Sequence, residues 1–254
     1  MYILFSPSEG KQIPQQHSQD SSTLAFLFST ASYKQNAISA YLEALRSSDD
    51  TLICKIFGTK TLELDTLTLS QNLLHTQRLQ AIRLYNGVAY KALDFDTLPQ
   101  DSQEFLLHNV LICSNLFGFV YAGDKLPFYK LHQGKGIGDF ALKTLYKAQA
   151  KDMDTLLANH DVLDLRAEIY AKVYPLTMPH TQIVFLKNGK KLSHASKFYR
   201  GLYLRHLALK ASQSHYTQES QEKYIDSPQI EGLKLQDITH KAHIKTLTYD
   251  ILAI

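Results

Sequence analysis

Short apolar runs recur along the chain, and each is followed by a polar or glycine-containing segment. Apolar runs of about four to eight residues bounded by turn residues are typical of buried β-strands. Four runs fit this pattern, at residues 2–5, 110–113, 161–165 and 182–187. A further run at residues 52–57 is also strand-like. The pattern therefore predicts a buried sheet, and loops at the carboxyl ends of strands are where open α/β sheets place their sites.

Apolar residues at helical spacing lie between these runs. The spacing predicts helices over residues 22–46 with a break near Ser32, 70–84, 101–108 and 142–150. Asn86-Gly87 supplies a stop for the second of these and Asp101 a cap for the third. Weak alternation after Gly232 predicts edge strands. Strands and helices together predict a mixed α/β (α+β) fold, with a mixed central sheet flanked by helices.

Length and composition favour one compact domain over residues 1–254, or two closely packed lobes. The chain is 44% hydrophobic, enough for a large core, and lacks a Pro/Gly/Ser-rich linker. It has no secretory signal and no apolar stretch near the roughly 18 residues that span a bilayer, so a soluble, cytoplasmic protein is expected without membrane contact. Cys54 and Cys113 lie in apolar runs, which favours inert buried thiols over a redox pair.

The charge distribution is strongly asymmetric. The chain as a whole has a net charge of +3, but residues 169–218 carry eight Lys and Arg and no Asp or Glu. The rest of the chain has 19 basic against 24 acidic residues. Such asymmetry points to an anionic partner.

Within this acid-free stretch, a helix is predicted from Ser193 as its N-cap. One side of the helical wheel is basic and holds Lys190, His194, Lys197, Arg200 and Arg205. The opposite side is apolar and holds Phe198, Tyr199, Leu202, Tyr203, Leu207 and Leu209. The basic side is either a binding surface or the solvated face of an amphipathic helix. The lack of acids favours the first, because solvated helices usually mix charges in i,i+4 pairs.

Two loops are candidates for phosphate contact. Ser8-Glu9-Gly10-Lys11 combines a hydroxyl, a glycine and a lysine, but it lacks the full Walker A pattern, and a structural turn is an equal alternative. Gly134, Gly136 and Gly138 precede a helix, where backbone N–H groups can converge on a phosphate, although such a run is more often only a tight turn. Gly-Ile-Gly also resembles the hairpin of DNA-binding helix-hairpin-helix motifs. No cofactor and no metal site are predicted, since His240 and His243 offer the only close histidine pair.

Several short patches resemble a known family. The opening strand leads into Ser8-Glu9-Gly10-Lys11, and a central Tyr-x-Gly-x-x-Tyr-x-x-Leu pattern is met by Tyr85, Gly87, Tyr90 and Leu93. The longest patch is carried by Ser114, Leu116, Phe117, Gly118, Asp124, Tyr129, Lys130, Leu131 and Gly134. Asp164-Leu165-Arg166 is followed by Tyr170, and Lys197-x-x-Arg200-Gly201 by Arg205. These patches, spread over nearly the whole chain, resemble the YaaA family of peroxide-stress proteins, in the branch with a Ser-Glu-Gly-Lys opening loop.

The resemblance implies a compact mixed α/β protein with a positively charged cleft. It also implies DNA binding and protection against oxidative damage through lower reactive iron. Two positions depart from the family pattern. Tyr121-Ala122 occupies the place where the family usually has Arg-Pro, and Val88 occupies a place where the family commonly has an aspartate. Both departures bear on any catalytic chemistry rather than on the basic helix.

Two functional hypotheses follow. The first is a binder of double-stranded DNA without sequence preference, of undetermined oligomeric state, whose phosphate contacts come from Lys197, Arg200, Arg205, Lys190, Lys130, Arg166, Lys11 and Ser8. Ser114, Gly118, Asp124 and Gly134 are expected on the cleft loops. The second is an enzyme acting on a nucleotide or nucleic acid at the same cleft, with Asp124, Glu9 or Glu168 as base. A flat groove favours the binder, and a deep pocket holding these carboxylates favours the enzyme.

Overall fold

A computed structural model describes residues 1–13, 24–47, 49–133, 142–190, 193–213, 225 and 230–252. The strands are β1 Tyr2–Phe5, β2 Arg78–Gln80, β3 Val110–Ser114, β4 Gly118–Tyr121, β5 Lys125–Pro127, β6 Val162–Leu165, β7 His180–Leu186, β8 Leu233–Lys241 and β9 Ile244–Ile251. The helices are α1 Ser32–Ser47, α2 Asp50–Phe57, α3 Leu64–Gln71, α4 Ala81–Leu84, α5 Val88–Leu93, α6 Gln100–Asn109, α7 Leu142–Ala148, α8 Ala150–Leu157, α9 Glu168–Val173 and α10 Ser193–Gln213. A 3₁₀ turn spans Phe95–Thr97.

Seven of the strands form one mixed sheet in the order β4-β3-β1-β6-β7-β9-β8. The five inner strands run parallel, and β4 and β8 pair antiparallel at the two edges. Strands β2 and β5 form a separate two-stranded ribbon. The predicted mixed α/β fold with a central sheet flanked by helices is confirmed.

The inner strand β1 shows why the predicted strands read as continuous apolar runs. Ile3 and Phe5 pack into an apolar cluster on one face of the sheet, and Leu4 packs into the cluster on the other. All three side chains are almost fully buried. A parallel strand covered on both faces needs apolar residues at successive positions, so alternation disappears.

The run at residues 52–57 is a helix, and the strand prediction there was wrong. Asp49 caps α2 by accepting a hydrogen bond from Leu52 N at 2.8 Å, and Gly58 ends it with a left-handed φ of 72°. Ile53, Ile56 and Phe57 form its buried side at helical spacing. The N-cap and C-cap residues are what identify this segment as a helix, because a short apolar run alone does not distinguish a helix from a strand.

Two other predicted helices were also wrong in part. Residues 24–31 form turns, and only α1 is helical in this region. The segment 70–84 contains the end of α3, the strand β2 and the short α4. Strand β2 exists because residues 78–80 pair with β5, more than forty positions away, which local periodicity cannot show. In α6 the predicted helix is confirmed, but Pro99 occupies the cap position instead of Asp101.

The helix α10 packs closely on α5 at Gly201. A Cβ atom at Gly201 would lie only 2.0 Å from the carbonyl oxygen of Ala89. Tyr199 and Tyr203 are buried beneath the helix as predicted, whereas Phe198 is 39% exposed, so its predicted place in the core was wrong. The close crossing holds α10 against the start of α5. No helix among the described residues is both long enough and apolar enough to cross a membrane.

Candidate functional site

Two adjacent cavities lie at the carboxyl edge of the parallel strands. The first, here called the Ser8 cavity, has a volume of about 330 Å³ and lies between the loop after β1, the start of α5 and α10. The second, the Gln182 cavity, has a volume of about 310 Å³ and lies between α9, β7 and α10. Ala167, Lys197 and Arg200 line both cavities. The two cavities together are called the groove below.

Arg200 stands where the two cavities meet. Its side chain is half-buried, and its Nε atom has no hydrogen-bond partner among the residues that the structure describes. Burial lowers the pKa of Arg200, and the charge of Asp164 opposes that effect. An arginine stays protonated in proteins, so Arg200 is a cation with an unused donor in a partly desolvated site. Such a group suits an anionic ligand.

Lys197 lies one helical turn before Arg200 and is exposed at the mouth of the groove. Residues at i and i+3 share one side of a helix. The short spacing in the Lys-x-x-Arg-Gly pattern therefore has a physical basis: Lys197 and Arg200 point toward the same groove, and Gly201 permits the helix crossing that brings them there.

Ser8 lines the groove, but its hydroxyl group already has two partners. The Ser8 Oγ atom accepts a hydrogen bond from Gly87 N at 3.1 Å and donates one to Gly10 O at 2.6 Å. A Cβ atom at Gly87 would lie 2.5 Å from Ser8 Cβ, so the β1 loop and the start of α5 meet at a glycine. Ser8 thus links the loop after β1 to the start of α5, and these two segments form one wall of the groove.

Lys11 lies beneath this loop and is buried. Its ammonium group is 4.2 Å from the centre of the Tyr129 ring and donates long hydrogen bonds to Ser8 O and Glu9 O, at 3.3 and 3.4 Å. Burial and, to a smaller extent, the nearby charge of Lys130 lower the pKa of Lys11 to about 7, against the opposing effect of Glu9. Lys11 therefore supports the loop from below instead of facing the groove with a fixed charge.

Arg166 was predicted as a phosphate contact, but the structure commits its guanidinium group to a buried ion pair. Nε and Nη2 donate to the Asp164 carboxylate at 2.8 and 2.7 Å, and Nη1 donates to Tyr174 O at 2.8 Å. Burial raises the pKa of Asp164, but the hydrogen bonds and charge of Arg166 outweigh it, so this pKa lies below its usual value. Arg166 forms part of the floor of the Gln182 cavity, and the free phosphate contact was a wrong prediction.

Arg205 also has a structural role. Its Nη1 atom donates to Leu93 O and Asp94 O, both at 2.8 Å, at the carboxyl end of α5. Lys190 is exposed in the turn between β7 and α10, beside Asn188 and Gly189, whose φ values of 51° and 72° confirm the predicted Asn-Gly turn.

Lys130 lies near Lys11, with its backbone N–H and C=O both bonded to the Tyr41 hydroxyl. Of the predicted cations, Lys197 and Arg200 line both cavities, and the ion-paired Arg166 lines the Gln182 cavity.

Asp124 lies at the opposite edge of the sheet from the groove. It follows β4, which runs antiparallel to β3, and its carboxylate accepts hydrogen bonds from Leu27 N at 2.9 Å and Tyr121 N at 2.8 Å. Burial raises the pKa of Asp124, while these backbone bonds and the charge of Lys34 lower it. Its predicted place on a cleft loop, and with it the role of base, is wrong.

Ser114 and Gly118 belong to the buried scaffold under the groove instead of to its surface. The Ser114 Oγ atom is 2.9 Å from the Tyr129 hydroxyl and accepts a bond from Phe117 N at 3.0 Å. Gly118 has a left-handed φ of 66°, and a Cβ atom there would meet Gln149. The fourth predicted cleft residue, Gly134, lies outside the described residues.

Glu9 and Glu168, two of the predicted candidate bases, lie at the groove, whereas Gln133, Tyr90 and Tyr170 were not predicted there. Glu9 lines the Ser8 cavity, and its Oε1 atom is 3.3 Å from His132 Nε2. Gln133, Tyr90 and Tyr170 line the same cavity. Glu168, at the edge of the Gln182 cavity, forms an i,i+4 ion pair of 2.6 Å with Lys172. The family patterns contained Tyr90 and Tyr170, but only the fold shows that they share a wall.

The two departures from the family pattern have different locations. Val88 lines the Ser8 cavity as the first residue of α5. Tyr121 ends β4 and lies against Tyr2, with ring centres 6.4 Å apart, on the side of the sheet where Asp124 is found. The change at Val88 therefore alters the groove, and the change at Tyr121 lies away from it.

Comparisons with known proteins agree with these motifs. A family model described as peroxide stress protein YaaA matches residues 1–226. A protein of Campylobacter jejuni, described as uncharacterised, is 36% identical over 256 residues, which cover 99% of this chain and 100% of that protein. UPF0246 proteins of Fusobacterium nucleatum and Corynebacterium glutamicum are 28% and 29% identical, covering 82% and 98% of this chain and 85% and 99% of their own lengths. The chain therefore belongs to the YaaA family of peroxide stress proteins.

Proposed function

We propose that this peroxide stress protein binds the phosphates of double-stranded DNA without sequence preference, through Lys197 and Arg200, and thereby helps to limit iron-mediated damage to DNA. The observation that carries the proposal is the half-buried Arg200, whose Nε atom lacks a partner among the described residues and which shares its groove with the exposed Lys197. Membership of a peroxide stress family supports the oxidative context. The expected cytoplasmic location stays a prediction.

The size of the cationic surface sets the expected strength of binding. Each neutralised phosphate contributes about −0.9 to the slope of log K against log salt concentration, so two contacts correspond to a slope of about −1.8. Non-specific affinity at physiological salt is then expected in the usual range of about 10⁻⁴ to 10⁻⁶ M. Five or more contacts, as the basic side of α10 alone had indicated, would produce a far steeper slope.

The test is duplex DNA binding across a salt series with a double variant, Lys197→Ala with Arg200→Ala. We expect the slope to flatten by about 1.8. The matched control is Lys190→Ala, which removes an exposed lysine of the same acid-free stretch and should leave the slope unchanged. An unchanged slope in the double variant would refute the proposal. Survival of peroxide-treated cells that carry only the double variant would test the link to oxidative damage.

A second candidate function is an enzyme that acts on a nucleotide or nucleic acid in the same groove. It is favoured by Glu9, which lines the Ser8 cavity together with Lys197 and Arg200 and whose Oε1 atom is 3.3 Å from His132 Nε2. A carboxylate oriented by a histidine can serve as a general base. Turnover of labelled nucleotides or DNA that is present in the wild type and lost in Glu9→Gln would favour the enzyme. Equal DNA binding by both proteins without turnover would favour the binder.

A further inference from the structure

The Ser8 cavity combines an apolar floor with a cationic wall. Its volume of about 330 Å³ is near the lower end of the range for small-molecule pockets, about 300–1,000 Å³. A cavity of this size can enclose one flat ring with its sugar, but not a base pair within a duplex. The ligand that fits must therefore be a single unit.

Three aromatic side chains line the floor: Phe5, Tyr90 and Tyr170. The Tyr90 hydroxyl donates to Ser6 O at 2.9 Å, and the Tyr170 hydroxyl donates to Asn115 Oδ1 at 2.8 Å. Phe5, Tyr90 and Tyr170 are 1%, 6% and 2% exposed, and both hydroxyl groups are already bonded inside the protein, so these residues present a small area of ring to the cavity. Aromatic surface of this kind suits a nucleobase, because every base has a flat π-face.

The polar groups of the cavity are divided between two functions. Glu9 and Gln133 offer a carboxylate and an amide, which can bond the donor and acceptor atoms on the edge of a base. Lys197 and Arg200 supply positive charge on the α10 wall. The combination of ring surface, edge-bonding groups and cations is what a nucleoside monophosphate requires.

We infer that the Ser8 cavity binds one unstacked nucleotide, with its base between the aromatic floor and Glu9 and its phosphate at Lys197 and Arg200. This inference rests on the proposed function, since it assigns Lys197 and Arg200 to phosphate. The same chemistry is present in a free deoxynucleoside monophosphate and in an unpaired nucleotide of a DNA strand. Extruding a base from a duplex has an energetic cost that is smallest where the base is already unpaired.

The test uses a variant that fills the cavity and keeps every charge. Val88 is half-buried at the cavity wall, so Val88→Phe places a ring in the space proposed for the base. Binding of deoxyadenosine monophosphate, deoxyadenosine and inorganic phosphate is measured by calorimetry. We expect the monophosphate to bind at least tenfold more tightly than phosphate alone, and Val88→Phe to remove that difference. Equal affinity for the monophosphate and phosphate, or unchanged monophosphate binding in the variant, would overturn the inference.

A second cavity-filling variant keeps the inference testable if Val88→Phe fails to fold. Ala167→Leu adds volume at another residue that lines the cavity, keeps the backbone N–H that bonds Ser6 Oγ at 2.7 Å, and should have the same effect as Val88→Phe. Duplexes with and without one unpaired base separate the two sources of the ligand. Tighter binding of the unpaired duplex shows that the nucleotide is read within a strand, and equal binding of both duplexes limits the site to free nucleotides.

The two proposals fail in different ways. If the double variant of Lys197 and Arg200 leaves the salt slope on fully paired DNA unchanged, the proposed function is wrong. If that slope responds but Val88→Phe and Ala167→Leu both leave monophosphate binding unchanged, only the nucleotide site is wrong.

Discussion

Replacement of Gly201 by alanine tests whether the crossing of α10 and α5 positions the groove. The added Cβ atom would lie 2.0 Å from Ala89 O and 2.8 Å from Ala89 C. Carbon and oxygen atoms that are not bonded normally stay about 3.3 Å apart or more. The helices must therefore separate by about 1 Å, because the obstructing atoms belong to the backbone.

Two effects of opposite sign determine the change in stability. Overpacking of a buried contact destabilises a protein by about 1–3 kcal/mol, and a contact this short with backbone belongs at the upper end. Alanine is favoured over glycine within a helix by about 1 kcal/mol. The steric effect prevails, and Gly201→Ala should lower the free energy of unfolding by about 2 kcal/mol, or the melting temperature by about 4–8 °C for a chain of this length.

Urea unfolding followed by circular dichroism measures this change. The control is Ala211→Gly, a half-exposed position of α10, which reports the helix propensity difference without a steric contact and should destabilise by at most about 1 kcal/mol. Since Arg200 precedes Gly201, the variant should also weaken DNA binding. A Gly201→Ala protein as stable as the wild type, or more stable, would refute the steric reasoning.

Two further predictions concern buried charges. Asp164→Asn should destabilise by about 3–5 kcal/mol in urea unfolding, because it leaves the buried Arg166 without its counter-charge. The pKa of Asp164 is lower in the folded than in the unfolded state, so the stabilisation is present above the unfolded value of about 4 and is lost as the pH falls through the folded value. If the free energy of unfolding of the wild type exceeds that of Asp164→Asn by the same amount at low pH as at neutral pH, this reasoning is contradicted. The pKa of Lys11 is about 7 in the folded protein against an ordinary 10.5, chiefly because the group is buried, so the unfolded chain binds more protons between these values. Wild-type stability should therefore rise from about pH 7 to pH 10 relative to Lys11→Met, and a constant difference would show that Lys11 does not titrate there.

The elements that were predicted correctly depend on nearby residues, whereas the missed strand β2 depends on a distant one. Unbroken apolar runs correctly predicted β1, β3, β6 and β7, because a strand that is buried on both faces has apolar residues at successive positions. Strand β2 was not predicted, since its only reason to be extended is its pairing with β5.

The candidate site shows the same division. The basic side of α10 correctly indicated that Lys197 and Arg200 share a direction, but it also included Arg205, whose partners Leu93 O and Asp94 O lie over a hundred positions earlier in the chain. A charge that binds backbone carbonyls looks the same in sequence as a charge that is available to a ligand. The aromatic floor was equally hidden, because Tyr90 and Tyr170 come together only through the strand order of the sheet.

The position of β1 between two strands from later in the chain has a consequence for synthesis on the ribosome. Ile3 pairs with Val110, and Tyr2 pairs with Val162, so both neighbours of this strand emerge long after it. At about 5–20 residues per second, the first neighbour follows roughly 5–20 s later and the second roughly 10–30 s later. Until the first neighbour emerges, Leu4 and its apolar neighbours have no strand to pair with, and exposed apolar strands of nascent chains are prone to aggregate. Strand β1 is thus a segment that molecular chaperones would have to shield while the middle of the chain is made.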